Sequence, residues 1–284
     1  MSTLSINRPV ALVTGSSSGF GLLASIALAQ EGYQVIATMR NPARKTALVS
    51  KAREAGVEAS IDIIELDVTH HAQVKQVVNH VVQHYGRIDL LLNNAGFAAG
   101  GFIEEIPMEM WREQFETNFF GVVAVTQAVL PHMREAQSGL ILTLGSISGL
   151  FGFPSLGPYV SSKHAIEGFC ESLRLEMNPY GVKVVLIEPG SYQTDIWNKS
   201  LEQVEKPIDS PYTSQMERII QSVKQTAATA SDPQEVIGQI IRIVRTPNPR
   251  LRYIVGKGTK TMLFFKRILP WKWIEQIVTR QIGR

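Results

Sequence analysis

The sequence predicts a doubly wound α/β fold, in which helices cover both faces of a parallel β-sheet. Short apolar runs of strand type alternate along the chain with longer segments of helical periodicity, which is the order typical of a parallel sheet. The short runs are apolar at consecutive positions, as in strands that are buried on both faces. A chain of 284 residues that is 44% hydrophobic and 19% charged is large enough to bury one such core.

Seven strands are expected, at residues 9–15, 33–39, 60–68, 87–96, 139–146, 181–190 and 252–256. The first helical pattern, at 20–32, follows the first strand and closes on Gly32, because glycine commonly ends a helix. Helical patterns lie between most of the other strands, and one begins near Ser231. Each strand is thus expected to run in the same direction as the one before it.

Two segments depart from this alternation. Residues 191–231 have weak periodicity and contain two prolines. A connection of this length in a compact fold is usually a functional lid, and a disordered surface loop is the alternative. Residues 257–284 follow the last strand as a basic amphipathic extension. We therefore expect one domain over 1–256, which includes a substrate lid at 191–231, and a C-terminal extension over 257–284.

Charge and cysteine content narrow the classes of function. Residues 250–284 contain nine Lys and Arg against one acid, so this tail has a net charge of +8 and the rest of the chain −5. The main body therefore lacks the uniform basicity of a nucleic-acid-binding protein. The first ten residues lack the pattern of a secretory signal, and no apolar stretch approaches the roughly 20 residues that cross a bilayer. With a single cysteine, Cys170, the chain fits a reducing compartment, and we expect a cytoplasmic protein.

The turn after the first strand fits a dinucleotide. In TGSSSGFG, residues 14–21, the glycines at 15, 19 and 21 allow a tight turn and a close approach of the backbone to a pyrophosphate. The unpaired N–H groups at the start of the following helix stabilise the negative charge of the pyrophosphate. An ordinary strand-to-helix turn is the alternative, and the position at the start of a βαβ unit favours cofactor binding.

The end of the second strand predicts which dinucleotide is bound. A carboxylate there would bond the ribose 2′-hydroxyl of NAD, whereas an arginine accommodates the 2′-phosphate of NADP. Thr38 and Met39 provide no carboxylate, and Arg40 is followed by Arg44 and Lys45. A guanidinium binds phosphate in bidentate geometry, so we predict NADP over NAD, with a solvated surface position for Arg40 as the alternative.

Seven motifs in order resemble the short-chain dehydrogenase/reductase superfamily in its single-domain form. They cover about residues 8–256 and are TGSSSGFG, LDV at 66–68, NNAG at 93–96, NFFG from Asn118, LGSISG with Ser146, YVSSK from Tyr159 to Lys163, and PGSYQT from Pro189 to Thr194. The resemblance implies a Rossmann fold, an oxidoreductase and a homodimer or homotetramer paired through the helices near 109–134 and 158–178. Two positions depart from the family pattern, Phe20 for an aliphatic residue and Tyr192 for valine.

The same resemblance assigns cofactor contacts. It implies that Asp67 and Val68 flank the adenine, that Asn94 begins the turn near the cofactor ribose, and that Thr194 contacts the nicotinamide carboxamide. With the glycine turn and the arginine, the expected cofactor-binding residues are Gly15, Ser17, Ser18, Gly19, Phe20, Gly21, Arg40, Asp67, Val68, Asn94, Ala95, Gly96, Tyr159, Lys163, Pro189, Gly190 and Thr194.

Four residues are the expected catalytic set. A carbonyl that accepts hydride must also receive a proton on its oxygen, and a free tyrosine with a pKa of about 10 exchanges protons poorly near neutrality. Tyr159 and Lys163 are four residues apart on a helix, so the ammonium, together with the oxidised nicotinamide, should lower the pKa of the phenol. Ser146 ends a strand and can hold the substrate oxygen. By resemblance, Lys163 also bonds the nicotinamide ribose, and Asn118 kinks its helix and holds a water on a proton path from Lys163.

The segments expected to line the substrate site are mostly apolar. Besides Ser146, we expect substrate contacts from Phe97, Phe153, Tyr192 and Trp197, and further wall residues at Phe102, Phe151 and Leu156. These side chains favour an apolar ketone, aldehyde or secondary alcohol. We expect no metal ion, because His80 and His84 have helical i, i+4 spacing but lack the acid and the third ligand of a zinc site.

The tail combines aromatic and aliphatic residues with lysines and arginines, a pattern typical of segments that lie at a membrane surface. Packing on a neighbouring subunit or on the chain's own core is the alternative. The sequence thus predicts an NADP(H)-dependent oxidoreductase of apolar substrates. The other hypotheses are a non-catalytic dinucleotide sensor or scaffold, and a membrane-docking protein that uses its tail.

Overall fold

The computed structural model describes residues 8–194 and 209–282 and contains a seven-stranded parallel sheet. Its strands are β1 Val10–Val13, β2 Gln34–Met39, β3 Ile61–Glu65, β4 Leu90–Asn93, β5 Gly139–Leu144, β6 Val182–Pro189 and β7 Arg252–Val255. Their order in the sheet is β3-β2-β1-β4-β5-β6-β7, and every neighbouring pair is parallel. The order reverses direction between β1 and β4, so the predicted doubly wound fold is confirmed.

The strands are shorter than the apolar runs that predicted them. In the fourth, the expected 87–96 contracts to Leu90–Asn93, because Asp89 binds Arg87 and accepts a hydrogen bond from the amide of Val10, and residues 94–96 have no regular secondary structure. An apolar run includes the residues that enter and leave a strand, whereas the hydrogen-bonded ladder does not.

Ten α-helices lie within the described residues. They are α1 Gly19–Gln30, α2 Thr46–Glu54, α3 His71–Tyr85, α4 Met108–Phe115, α5 Gly121–Glu135, α6 Gly157–Met177, α7 Thr213–Ala228, α8 Gln234–Val244, α9 Thr259–Ile268 and α10 Trp271–Ile282. The helix expected near 109–134 is divided, because a π-helical turn at Glu116–Phe120 separates α4 from α5. Short 3₁₀ turns lie at Pro42–Lys45, Glu58–Ser60, Ile147–Gly149 and Asn178–Tyr180.

The core forms two layers, one on each face of the sheet. Successive strand residues point to opposite faces, so Val10 and Leu12 belong to one layer while Ala11 and Val13 belong to the other. The first layer is covered by α3, α5 and α6, and the second by α1, α2 and α8. The inner strands β1, β2, β4, β5 and β6 are buried on both faces for most of their length, which is why their sequences are apolar at consecutive positions, whereas the edge strands β3 and β7 are half-buried.

The two segments outside the regular alternation are partly helical. Residues 195–208 of the expected lid lie outside the described residues, but its later part contains the 16-residue α7, in which Met216 alone is buried. The extension after β7 forms α9 and α10, joined at Leu269 and Pro270. Among the described residues, no helix combines the length and apolar character needed to span a membrane.

Candidate active site

A cavity of about 2010 Å³ opens at the carboxyl edge of the sheet. The turns that follow β1, β2, β4, β5 and β6 all contribute to its wall, as expected where the strand order of an open α/β sheet reverses. Single ligand sites usually occupy about 300–1,000 Å³. This cavity therefore has room for a dinucleotide and a substrate side by side.

Hydrogen bonds of Thr14 and Asn94 hold the glycine turn, residues 14–21, in place. The hydroxyl of Thr14 accepts hydrogen bonds from the amides of Asn94 and Ala95, both at 3.0 Å. The side-chain amide of Asn94 donates to the carbonyls of Thr14 at 2.7 Å and Gly15 at 2.9 Å. Asn94, expected near the cofactor ribose, thus fixes the first turn to the end of β4. The role of Thr14 was missed, although it belongs to the motif TGSSSGFG.

Two glycines in this turn have no room for a side chain. Gly15 has a φ of +69°, and a Cβ there would lie 2.8 Å from the Cα of Ala95. A Cβ on Gly21 would lie less than 3.0 Å from the side-chain amide of Asn94 and from the carbonyl of Gly15. Ser17, Ser18, Gly19 and Phe20 line the cavity with Gly15, whereas Gly21 does not. Gly21, expected to bind cofactor, is thus a packing position behind the turn.

The far end of the cavity carries the predicted 2′-phosphate site. Arg40 is exposed directly after β2, and both Arg40 and Arg44 line the cavity. Asp67 and Val68 also line it, and the carboxylate of Asp67 accepts hydrogen bonds from the amide and hydroxyl of Thr69 at 3.0 and 2.8 Å. The expected adenosine contacts are therefore grouped at one end of the cavity.

Tyr159, Lys163 and Ser146 meet in the middle of the cavity wall. Ser146 follows β5, accepts a hydrogen bond from the amide of Ser148 at 3.1 Å and forms a side-chain hydrogen bond with Tyr159. Lys163 lies one turn after Tyr159 on α6, with Nζ 5.8 Å from the centre of the tyrosine ring. The same Nζ donates to the carbonyl of Leu144 at 2.7 Å, so the ammonium is anchored to the end of β5.

The side chains of the site do not by themselves lower the pKa of the Tyr159 phenol, which the sequence predicts to fall under the combined effect of Lys163 and the oxidised nicotinamide. Burial raises the pKa of Tyr159, and the hydrogen bond with Ser146 opposes this only in part. Burial also lowers the pKa of Lys163 to about 8, against smaller opposite effects of Cys170 and Glu167. Burial of both groups thus outweighs the attraction that the sequence predicts. The charge of the oxidised nicotinamide is the remaining source of acidification in that prediction.

Asn118 lies in the π-helical turn and connects two parts of the site. Its side chain exchanges hydrogen bonds with Phe97, donating to the carbonyl at 2.9 Å and accepting from the amide at 3.1 Å. Its Nδ2 is also 3.4 Å from the hydroxyl of Ser162, which donates to the carbonyl of Tyr159 at 2.7 Å. Asn118 thereby positions the turn after β4 against the helix that presents Tyr159.

Gln114, a residue that sequence reasoning missed, supports the same turn. It is fully buried, accepts a hydrogen bond from the amide of Ala99 at 2.7 Å and donates to the carbonyl of Phe97 at 2.8 Å. The signal available in the sequence was its position four residues before Asn118, which places both amides on one side of the helix.

A buried carboxylate pair lies next to this centre. Glu167, one turn beyond Lys163 on α6, is 8% exposed, and Glu188 near the end of β6 is fully buried. Arg252 binds Glu167 at 2.9 Å and approaches Glu188 to 3.6 Å. Burial, and secondarily the hydrogen bond with Glu167, raise the pKa of Glu188 to about 8. No pattern in the sequence indicates that these acids are neighbours.

On the substrate side, the structure assigns the expected aromatic residues different roles. Phe97 and Phe153 line the cavity, as do Phe151 and Leu156, whereas Trp197 lies outside the described residues. Phe102 is not among the lining residues and stacks on Tyr212, with ring centroids 4.2 Å apart.

Tyr192 borders the cavity but is 2% exposed, and its hydroxyl donates to Glu235 at 2.8 Å. Its ring meets Phe20 edge to face, with centroids 5.7 Å apart. Phe20 and Tyr192, the two departures from the family pattern, therefore pack against each other. This pair joins the glycine turn to the turn that contains Pro189, Gly190 and Thr194, all of which line the cavity.

Three helices that contain no individually predicted site residue complete the wall: α7, which belongs to the expected lid, and α9 and α10 of the C-terminal extension. The apolar residues that they contribute are Met216, Ile219, Ile220 and Val223 of α7, Met262, Phe265 and Leu269 at α9, and Ile274, Ile277 and Val278 of α10. Of these, Met216 and Ile274 are buried, and α10 packs against α7. The tail, residues 257–284, therefore contributes to the cavity wall through α9 and α10. This agrees with the alternative, stated from the sequence, that the tail packs on the chain's own core.

The family model for short chain dehydrogenase matches residues 9–205. The chain belongs to this family. The resemblance read from the seven motifs is therefore confirmed. The uncharacterized oxidoreductase YusZ of Bacillus subtilis is 46% identical over 280 residues, which cover 98% of this chain and 99% of the relative.

This short-chain dehydrogenase is also similar to a reductase from another bacterium and to a solved structure. The 3-ketodihydrosphingosine reductase of Bacteroides thetaiotaomicron is 35% identical over 248 residues, 87% of each chain. A short-chain dehydrogenase/reductase structure from Burkholderia phymatum in complex with NAD is 25% identical, with a TM-score of 0.80 and coverage of 96% of both chains. This short-chain dehydrogenase is an oxidoreductase, and the turn without room for side chains at Gly15 fits a nicotinamide dinucleotide.

Proposed function

We propose that the protein is an NADP(H)-dependent oxidoreductase that interconverts an apolar ketone or aldehyde and its alcohol. The proposal rests on one observation. Tyr159, Ser146 and Lys163 line one cavity together, between the glycine turn and an apolar wall. A non-catalytic sensor or scaffold would have no need of this set. Turnover of any ketone by the wild-type protein separates the two hypotheses.

The proposed chemistry divides hydride and proton between cofactor and protein. When bound, the dinucleotide supplies the hydride for the carbonyl carbon, or accepts it in the reverse direction. The Tyr159 hydroxyl gives its proton to the substrate oxygen, and the serine hydroxyl of Ser146 holds that oxygen in place. Lys163, with a pKa lowered to about 8, then returns a proton towards the phenolate. Asn118 is proposed to continue this path to solvent through a water molecule.

Arg40 is the basis for proposing NADP rather than NAD. It lines the adenosine end of the cavity together with Arg44, and no carboxylate follows β2 at this point. A charge-assisted hydrogen bond contributes about 1.5–3 kcal/mol, so Arg40→Asp should lower kcat/KM for NADPH about 10- to 100-fold relative to NADH.

The matched control is Lys51→Asp, the same change of charge at an exposed site of α2 that does not line the cavity. It should change the NADPH to NADH ratio less than twofold. An unchanged ratio in Arg40→Asp would show that phosphate selectivity resides elsewhere.

The substrate class is proposed from the wall of the cavity. Its substrate side is formed by Phe97, Phe151 and Phe153 and by apolar residues of α7, α9 and α10. The similarity to a 3-ketodihydrosphingosine reductase adds support for a ketone with a long apolar chain. Ketones of increasing chain length, offered with NADPH and in parallel with NADH, should show kcat/KM rising with length. A preference for short polar ketones would contradict the proposal.

The remaining proposals concern assembly and location. We propose a cytoplasmic homodimer or homotetramer that pairs through the helices near 109–134 (α4 and α5) and 158–178 (α6), and no nucleic-acid partner. Each of the two ranges contains an exposed apolar residue that supports such pairing, Phe120 at 44% and Leu175 at 78%. Light scattering on wild type and Leu175→Glu should give a larger mass for the wild type. Contact of the C-terminal tail with a membrane surface is a further proposal.

A further inference from the structure

The last two helices line the cavity and face solvent at the same time. Phe265 of α9 and Ile277 of α10 both belong to the cavity wall, yet they are 47% and 51% exposed. Side chains that meet both conditions lie at the rim of an opening. The part of the rim that the tail builds is therefore apolar.

Exposed apolar side chains continue outwards from this rim. Phe264 and Ile268 are one turn apart on α9, Trp273 and Ile277 are one turn apart on α10, and all are more than half exposed. Of the eleven large apolar side chains that are exposed among the described residues, six lie on these two helices. We call them the rim face: Phe264, Phe265, Ile268, Trp271, Trp273 and Ile277.

Positive charge accompanies the rim face. Lys260, Arg267, Lys272 and Arg280 are exposed on the same two helices, and Glu275 is the acid of α9 and α10. Exposed tryptophan and phenylalanine together with lysine and arginine match the two attractions of an interfacial segment, burial of apolar area and attraction to anionic headgroups. The net charge of the rest of the chain is negative, so this positive surface is local.

We propose that the rim face docks on an anionic lipid bilayer and that apolar substrate enters the cavity from the lipid past Phe265 and Ile277. The docking itself requires no turnover. The entry step rests on the proposed function, because it needs an apolar substrate that partitions into lipid. An enzyme placed in this way takes its substrate from the phase in which such a molecule is concentrated.

A second copy of the chain is a weaker candidate for the same surface. In a two-fold symmetric contact, the same patch occurs on both subunits, so the exposed cations of one tail would face those of the other. Like charges brought together at an interface disfavour association. An anionic bilayer has the complementary charge and accepts the aromatic side chains without a shaped partner.

Docking is tested with the full-length protein and sedimented vesicles, of phosphatidylcholine alone or with 30% phosphatidylserine. The wild type should sediment with the anionic vesicles and much less with the neutral ones. Trp271→Ser combined with Trp273→Ser should lower the partition coefficient at least tenfold. Arg267→Gln combined with Lys272→Gln should lower it about fivefold per charge, since each basic residue near an anionic surface contributes about 1 kcal/mol.

The matched control is Tyr180→Ser. Tyr180 is an exposed aromatic residue, 39% accessible, but it lies just before β6 at the amino edge of the sheet, away from the cavity. This variant should sediment like the wild type. Circular dichroism and thermal unfolding of each variant check that the fold is retained.

Entry is tested by comparing a long-chain ketone dissolved in vesicles with a short water-soluble ketone. The double tryptophan variant should retain its rate on the soluble ketone and lose at least fivefold on the lipid-borne ketone. An equal effect on both ketones would overturn the entry step.

Absence of sedimentation, or equal sedimentation with neutral and anionic vesicles in wild type and variants, would overturn the docking. A change from dimer to monomer in the tryptophan variant, measured by light scattering, would also overturn it and assign the rim face to a second copy. Failure of every ketone to react would refute the proposed function and the entry step, while sedimentation would still report on docking.

Discussion

Replacement of Gly21 by alanine is expected to damage both stability and cofactor binding. The added Cβ would lie less than 3.0 Å from the side-chain amide of Asn94 and from the carbonyl of Gly15. The carbonyl is backbone, so the strain cannot be relieved by a change of rotamer. The amide of Asn94 must move, which weakens its hydrogen bonds to the carbonyls of Thr14 and Gly15 at 2.7 and 2.9 Å.

The magnitude follows from these contacts. Two hydrogen bonds contribute about 0.5–1.5 kcal/mol each, and overpacking costs about 1–3 kcal/mol. Alanine in place of glycine inside a helix offsets about 1 kcal/mol of this loss. The free energy of unfolding of Gly21→Ala should therefore fall by about 3 kcal/mol, measured by urea denaturation. NADPH affinity, measured by fluorescence titration, should fall as well, because Gly15 belongs to the cofactor turn.

A second glycine provides the control. Gly238 is an exposed residue of α8, and a Cβ there would meet nothing within 4 Å. Gly238→Ala should increase the free energy of unfolding by up to about 1 kcal/mol and leave NADPH affinity unchanged. The account of the glycine turn would be refuted if Gly21→Ala proved as stable as Gly238→Ala.

Three further predictions concern the site and its support. Tyr159→Phe should lower kcat about 10²- to 10⁴-fold with NADPH affinity within twofold of wild type, and equal turnover in stopped-flow assays would refute the assigned acid. Glu188 has a pKa raised from 4.5 to about 8, so the folded state keeps a proton that the unfolded state loses. The free energy of unfolding should thus fall as pH rises from 4.5 to about 8, by up to about 1.4 kcal/mol per pH unit. Glu188→Gln should remove this dependence. Parallel pH profiles of stability in the wild type and the variant would contradict the prediction. For Phe20→Leu and Tyr192→Val, a double-mutant cycle should give a coupling energy of about 1 kcal/mol, and additive effects would mean that the two rings do not support each other.

The sequence was sufficient for the sheet and for most of the residues around the cavity. Strands buried on both faces have an unambiguous apolar pattern, and a glycine turn that approaches a phosphate tolerates few substitutions. The position of α7, α9 and α10 was not predictable in the same way. These helices are largely exposed, and an amphipathic pattern shows which side of a helix is apolar but not which surface that side packs against.

The pKa shifts around Tyr159 and Lys163 also could not be predicted from the sequence. The spacing of Tyr159 and Lys163 predicts that they are neighbours, and they are. Burial, however, depends on the whole fold, and it raises the pKa of Tyr159 against the effect expected from its charged neighbours. Glu167 and Glu188 are neighbours because α6 packs beside β6. This contact between distant segments cannot be predicted from a local sequence pattern.

Because α9 and α10 form part of the proposed substrate side of the cavity, this part of the wall and the glycine turn lie at opposite ends of the polypeptide. A relative could exchange its final two helices and acquire a new specificity without disturbing the glycine turn or the proton-transfer residues. Chimeras that swap only this terminal segment between homologues would accordingly be a compact way to redesign what the enzyme accepts.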